Sequence, residues 1–235
     1  MLGKNQYPLI NVAGNQHCMN RFANNESRYG ITSNDVVSLS FTTPNIFVKQ
    51  TVSDSYALHW FPMRVTYHRE MKIKALLDEL GVESFLPMHY ELVETKTGGK
   101  KRVLLPAIHN LIFVRSTQEY LTQLKMCLEE FAPLRYMMKK SVMGDAKNEI
   151  LQVPDRQMDN FMRVASVQDD RVMFLENNEF INKVGQRVKV TDGFFAGVEG
   201  VIKRINKNKR VVVQLEGVAA VAIAFVPSSQ LSLLE

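Results

Sequence analysis

Residues 190–202 read VTDGFFAGVEGVI, and their three glycines, Gly193, Gly197 and Gly200, are the first candidates for chemistry. Glycine-rich loops cradle phosphates when their backbone N–H groups converge ahead of a helix. A P-loop needs Gly-Lys-Ser/Thr leading into that helix, whereas Gly200 leads into VIKRI, a strand-like run. The GxGxxG pattern fails on spacing and context as well. A structural reading covers all three: Asp192-Gly193 is a turn after RVKV, Gly197 closes the loop FFAG, and Gly200 opens a strand where a missing Cβ allows a bulge or close backbone approach. Metal chemistry has no better footing. His17, His59, His68, His89 and His109 form no HExxH, and Cys18 and Cys127 sit in no ligand spacing, so neither metal nor cofactor is expected. Two distant cysteines predict no disulfide framework and favour a reducing, cytoplasmic setting. No Ser/His/Asp set or carboxylate pair is suggested by spacing, Asp169-Asp170 fall in an acidic stretch, and Cys127 sits on an apolar helix face. No catalytic residue, and hence no enzyme, is expected.

What remains is charge that can meet phosphate. His68, Arg69, Lys72 and Lys74 cluster at the start of a helix, and Lys100, Lys101 and Arg102 crowd a hairpin tip. Lys203, Arg204, Lys207, Lys209 and Arg210 crowd a second hairpin. The net charge of +5 divides as +1 over residues 1–57, +3 over 58–165, −3 over 166–182 and +4 over 183–235. A modest basic excess is compatible with nucleic acid and equally with a solvated surface. The sequence has no apolar run near the ~18 residues a membrane span needs. Its N-terminus lacks the basic and apolar regions of a signal peptide, so no membrane partner is expected.

The elements that must position these groups follow from periodicity. Residues 1–57 are rich in Asn, Ser and Thr without a period, and read as a poorly ordered extension. LHWFPMRV is a short buried strand, and REMKIKALLDELG places Ile73, Leu76, Leu77 and Leu80 on one face of a helix that Gly81 ends. ESFLPMHYELVE and RVLLPAIHNLIFVRS flank the turn TKTGGKK as strands. Ser116 and Glu119 form a capping-box pattern for a second helix, with Tyr120, Leu124, Cys127 and Phe131 on its apolar face. LRYMMKK is another strand, and a third helix begins at Pro154 or Asp155 with Met158, Phe161, Met162 and Ala165 on one side. The order β-α-β-β-β-α-β-α predicts an α+β domain over 58–165, with helices covering one face of a mainly antiparallel sheet. Residues 166–182 read as an acidic linker, within which VMFLENNEF still has the composition to pack. Over 183–235, the runs QRVKV, GVIKRI, RVVVQL and VAIAFVP are separated by turn signals, which predicts a small β-barrel.

Residues 184–205, VGQRVKVTDGFFAGVEGVIKRI, resemble a KOW motif, with Phe194 where that pattern usually has proline. Upstream, HWFPMRVTYHRE has Trp60-Phe61 and, ten residues after the tryptophan, Glu70. It resembles the opening of the N-terminal domain of the NusG family, and LLPAIHNLIFVRS resembles that family's FFPGYVLV strand without its Pro-Gly-Tyr. The phrases ESFLPMHYE, RYMM and RVVVQLEGVAAVAIAFV are most similar to the UpxY-type antiterminators of surface-polysaccharide operons. The resemblance covers about residues 58–235.

It implies an SH3-like KOW barrel after the linker, and a non-catalytic factor that binds the RNA polymerase β′ clamp, suppresses pausing and acts as an antiterminator in long surface or capsular polysaccharide operons. Matched by strand, Trp60, Phe61, Ile108 and Leu111 would form the apolar polymerase-binding depression; all four are equally compatible with an ordinary core. His68, Arg69, Lys72 and Lys74 would meet non-template DNA or nascent RNA, and Lys100, Lys101 and Arg102 upstream DNA or polymerase, with solvated faces as the alternative. Phe194, Phe195, Lys203 and Arg204 would carry a KOW contact to a ribosomal protein, a termination factor or RNA. A KOW-based RNA- or ribosome-binding protein that does not need polymerase is the competing reading.

Overall fold

The computed structural model describes residues 57–96, 98–139, 149–168, 171–175, 185–205, 208–223 and 226–234. The N-terminal extension, save its last residue, lies outside them, as do Cys18 and Lys207. Four strands form the first sheet in the order β2 (Ser84–Phe85), β5 (Leu111–Ser116), β1 (His59–Val65), β6 (Leu134–Tyr136), all antiparallel. Side chains alternate across a strand, and here both alternations are apolar. Phe61, Met63 and Val65 of β1 and Ile112 and Val114 of β5 face α1 (Glu70–Glu79) and α2 (Gln118–Cys127), where they meet Ile73, Leu77, Tyr120, Leu121 and Leu124. Trp60, Leu111 and Phe113 face the other way, against α3 (Asp155–Ala165). The architecture is α+β and antiparallel as expected, but the helices divide between the two faces rather than covering one.

Local endings explain where the elements stop. α1 ends as its sequence predicts: Gly81 takes φ +65°, its N–H donates to the Asp78 carbonyl at 3.0 Å, and Val82 N–H donates to the Leu77 carbonyl at 2.9 Å. α2 is capped one residue later than the Ser116/Glu119 pattern predicts. Thr117 is the cap, its hydroxyl accepting from Tyr120 N–H at 3.2 Å, while Ser116 closes β5. RVLLPAIHNLIFVRS is two strands rather than one. β4 (Lys100–Pro106) pairs with β3 (Met88–Glu94) as a separate hairpin, and β5 begins only after a turn in which Asn110 takes φ +59°. Pro106 lacks the N–H that would carry the ladder onward. Short β7 (Met138–Lys139) and β8 (Glu149–Ile150) pair beside β6. Cys127 is disulfide-bonded, against the expectation that no disulfide forms in a reducing setting.

The C-terminal half is a six-stranded antiparallel sheet in the order β14 (Leu231–Leu233), β10 (Gln186–Val190), β11 (Glu199–Ile205), β12 (Asn208–Leu215), β13 (Ala219–Ile223), β9 (Val172–Leu175). The last of these lies within the stretch read as linker: Val172–Leu175 pairs along β13. Of the three opening glycines, Gly193 and Gly197 adopt positive φ. Gly200 sits where a Cβ would come within 2.8 Å of the Val212 carbonyl oxygen. Gly200→Ala must therefore displace backbone, and it should cost about 1–3 kcal/mol in thermal unfolding. Wild-type melting in that variant would contradict the close approach.

Lys125 of α2 gives a second check on this packing. Its Nζ lies 4.3 Å from the Tyr136 ring centroid. Burial, and secondarily the Arg135 charge, lowers its pKa from the usual 10.5 to about 8. Between those values the unfolded chain holds a proton that the folded chain has released, so stability rises as pH climbs from about 8 towards 10.5. Lys125→Met should remove that rise in a denaturant midpoint measured across this window, while retention of the full slope would place its origin elsewhere.

Candidate functional site

α3 reads DRQMDNFMRVA and buries one broad apolar side, leaving Asp155, Asp159 and Arg163 exposed on the other. Met158, Phe161, Val164 and Ala165 are buried. Phe161 stands 5.5 Å from Phe113 and 6.4 Å, edge on, from Phe85, so three rings from α3, β5 and β2 close the second face of the first sheet. The same buried cluster continues without a break into Val188, Val190, Phe195, Val198, Val211, Val213 and Val221 of the C-terminal half. α3 lies on β12, β13 and β9, and also touches β1. The two halves of the chain thus share one apolar core, with α3 as its middle layer.

A polar edge fixes the register of this junction. Arg156, Asn160 and Arg163 recur at i, i+4 and i+7 and so line one stripe of α3. Arg156 Nη2 lies 2.5 Å from Glu199 Oε1, Asn160 Oδ1 accepts from Glu199 N–H at 3.4 Å, and Arg163 Nη1 donates to the Ala196 carbonyl at 2.9 Å. At the other end of the first sheet, Arg115 of β5 bridges Glu83 at 3.2 Å and Asp155 at 3.3 Å, tying β5 to the first residue of α3. The Arg156 side chain is mostly exposed, so that pair supplies orientation and little net stability. The apolar cluster supplies the attraction, at about 1.5–3 kcal/mol for each fully buried large side chain.

The sequence-derived residues fall into distinct places. Trp60 and Leu111 are buried in this shared cluster, and Ile108 is half-buried against it. Phe61 is not with them: it is fully buried on the opposite face, beneath α1 and α2. His68, Arg69 and Lys72 are exposed, and Lys74 is held by Asp78 at 2.5 Å. Lys100, Lys101 and Arg102 are exposed on β4, with the Arg102 guanidinium 4.2 Å from the Tyr90 ring centroid. Phe194 is 67% exposed under the Arg171 guanidinium, whereas Phe195 is buried against the Phe194 ring. Lys203 is only 5% exposed and donates from Nζ to Gln214 Oε1 at 2.8 Å, while Arg204 is exposed. Phe85, Phe113 and the Arg156–Asn160–Arg163 stripe were not anticipated as part of a site, although the spacing of the stripe was visible in the sequence.

Among the described residues no group of His, Cys, Asp and Glu is arranged to hold a metal ion, and no helix is long and apolar enough to cross a membrane. Residues 58–162 match the family model described as NusG, transcription termination factor nusG. This stretch is therefore similar to a NusG domain over 105 of the 235 residues. Among solved structures, one described as "Domain interaction in Thermotoga maritima NusG" is similar at 18% identity and a TM-score of 0.37, covering 76% of this chain and 98% of that one. No curated protein matches the sequence.

The geometry of the NusG-type domain makes its junction with the C-terminal sheet testable. Glu199→Arg sets a second cation against Arg156 and removes the carboxylate at the centre of the polar edge. It should raise hydrogen exchange in β1 and α3 well before global unfolding. Unchanged protection there would mean that the edge does not hold the two halves together.

Proposed function

We propose that this protein is a transcription elongation factor that binds RNA polymerase, at its β′ clamp, and suppresses pausing and termination. The observation that carries this reading is the NusG-like domain at 58–162, whose second sheet face gathers Trp60, Leu111 and Ile108 into one apolar surface with α3. That surface suits a macromolecular partner, because large apolar side chains brought together supply the attraction. In the arrangement described above α3 lies over Trp60 and Leu111, and the C-terminal sheet closes over α3. Binding to polymerase therefore requires that sheet to move away, and exposure of the same cluster drives both associations. Phe61 supports the face from behind as core.

The C-terminal sheet acts as a KOW module. The exposed Phe194, with Arg204 on β11, offers it a contact for a second partner such as a ribosomal protein or a termination factor. His68, Arg69, Lys72 and Lys74, with Lys100, Lys101 and Arg102 on the hairpin, supply positive charge towards non-template DNA or nascent RNA. No catalytic step is involved, and the protein works in the cytoplasm. The specialised phrases in the sequence support action as an antiterminator in long operons for surface or capsular polysaccharide.

Elongation by purified RNA polymerase on templates with and without the leader of such an operon is the direct test. The expected result is shortened pausing on the leader-bearing template when the protein is added. Identical pause lifetimes with and without protein on both templates would overturn the reading.

A further inference from the structure

Cys127 is the last residue of α2, and its sulfur is in a disulfide. The chain has two cysteines and neither is free, so the other half of the bond is Cys18 of the N-terminal extension. The turn of α2 that carries the bond is shielded. Met126, beside Cys127, is 8% exposed, yet it joins none of the apolar clusters formed by the described residues. Thr122, one turn earlier, is buried as well, but its hydroxyl is accounted for by the Gln118 carbonyl at 2.8 Å and Tyr136 Oη at 3.1 Å. A thioether as buried as Met126 has neighbours on most sides, and its apolar cover must come from elsewhere in the chain. The sequence around Cys18, HCMNRF, has the composition for it, with Met19 and Phe22 flanking the bonded sulfur. The residues between Cys18 and β1 are long enough to reach any point on the first half of the molecule.

The setting distinguishes a switch from a brace. Cytoplasmic thiols are kept reduced, and a disulfide that forms among them is typically transient and redox-sensing. We infer that Cys18 and Cys127 form a redox switch, which docks the N-terminal extension through Met19 and Phe22 on the last turn of α2 when oxidised and releases it when reduced. The oxidant is a low-molecular-weight disulfide. One cysteine thiolate attacks a sulfur of that disulfide and expels a thiolate, and the second cysteine thiolate attacks the resulting mixed disulfide and expels the other. The two protons lost by the cysteines end on the two released thiols, and a dithiol reverses the sequence. α2 packs on the face of the first sheet opposite α3, so the switch works without disturbing the shared apolar core. The inference rests on the cytoplasmic setting of the elongation-factor reading, and it adds a control to that reading.

The test incubates the full chain with oxidised or reduced glutathione, follows brief trypsin digestion, and maps the peptides by mass spectrometry without reduction. Oxidised monomer should yield one peptide pair joined through Cys18 and Cys127. Cleavage after Arg28 should be about tenfold slower in the oxidised than in the reduced protein, because proteolysis tracks the released population. Cys18→Ser and Cys127→Ser should each cleave at the reduced rate under both conditions, and each should melt with reduced wild type. Met126→Gln should keep the crosslink and lose most of the protection, which separates docking from a bare tether. In cells that express the protein, rapid alkylation should find both thiols free, with the crosslink appearing after treatment with diamide. Glutathione adducts without a crosslink, a bond between two chains, equal cleavage rates in the two states, or a complete crosslink in unstressed cells would overturn the switch. Polymerase binding by the wild-type chain, measured alongside, reports on the elongation-factor reading independently.

Discussion

The apolar contact made by α3 organises the rest of the molecule. The first sheet is apolar on both faces, so burying one under α1 and α2 leaves Trp60, Leu111 and Phe113 in need of cover. Phe161 and Met158 supply part of it, and the rest of the broad apolar side of α3 closes against β12, β13 and β9. Neither half buries its apolar surface fully without the other. A C-terminal sheet of this size gains much from such support, because small domains bury a lower fraction of their surface on folding.

The composition of the junction bears on function. Its centre is aromatic and aliphatic, and its edge is a short polar stripe that fixes register through Glu199 and the Ala196 carbonyl. An apolar centre exchanges one macromolecular partner for another at modest cost, because the driving force is non-directional. The polar edge favours the internal partner only when the geometry is right. Such an interface is suited to competition, and in the proposed function polymerase is the competitor. His68, Arg69 and Lys72 stay exposed while this junction is closed.

Much of this fold was legible in the sequence where one rule dominated. α1 combined a clean apolar stripe with a terminating glycine, and both operate as read. The division of RVLLPAIHNLIFVRS was hidden because its apolar residues run on either side of two lone turn residues; Pro106 and Asn110, a proline and an asparagine that adopts φ +59°, make the break. β9 was hidden in acidic surroundings because its ladder partner, β13, lies more than forty residues away. Trp60 and Phe61 could not be assigned to faces from sequence, since adjacent strand residues point in opposite directions and both directions here are buried. Lys203 looked like a surface cation, and the glutamine that satisfies it, Gln214, is identified only by the β11–β12 pairing.

The central claim is that one apolar face serves both the C-terminal sheet and RNA polymerase. The most direct measurement compares the affinity for purified RNA polymerase of the full chain with that of residues 57–168 alone, with circular dichroism establishing that the shorter chain is folded. The account predicts tighter binding by the shorter chain, by about tenfold for each ~1.4 kcal/mol that the closed arrangement contributes. A folded 57–168 segment that fails to bind polymerase, or binds it no better than the full chain, would contradict the account.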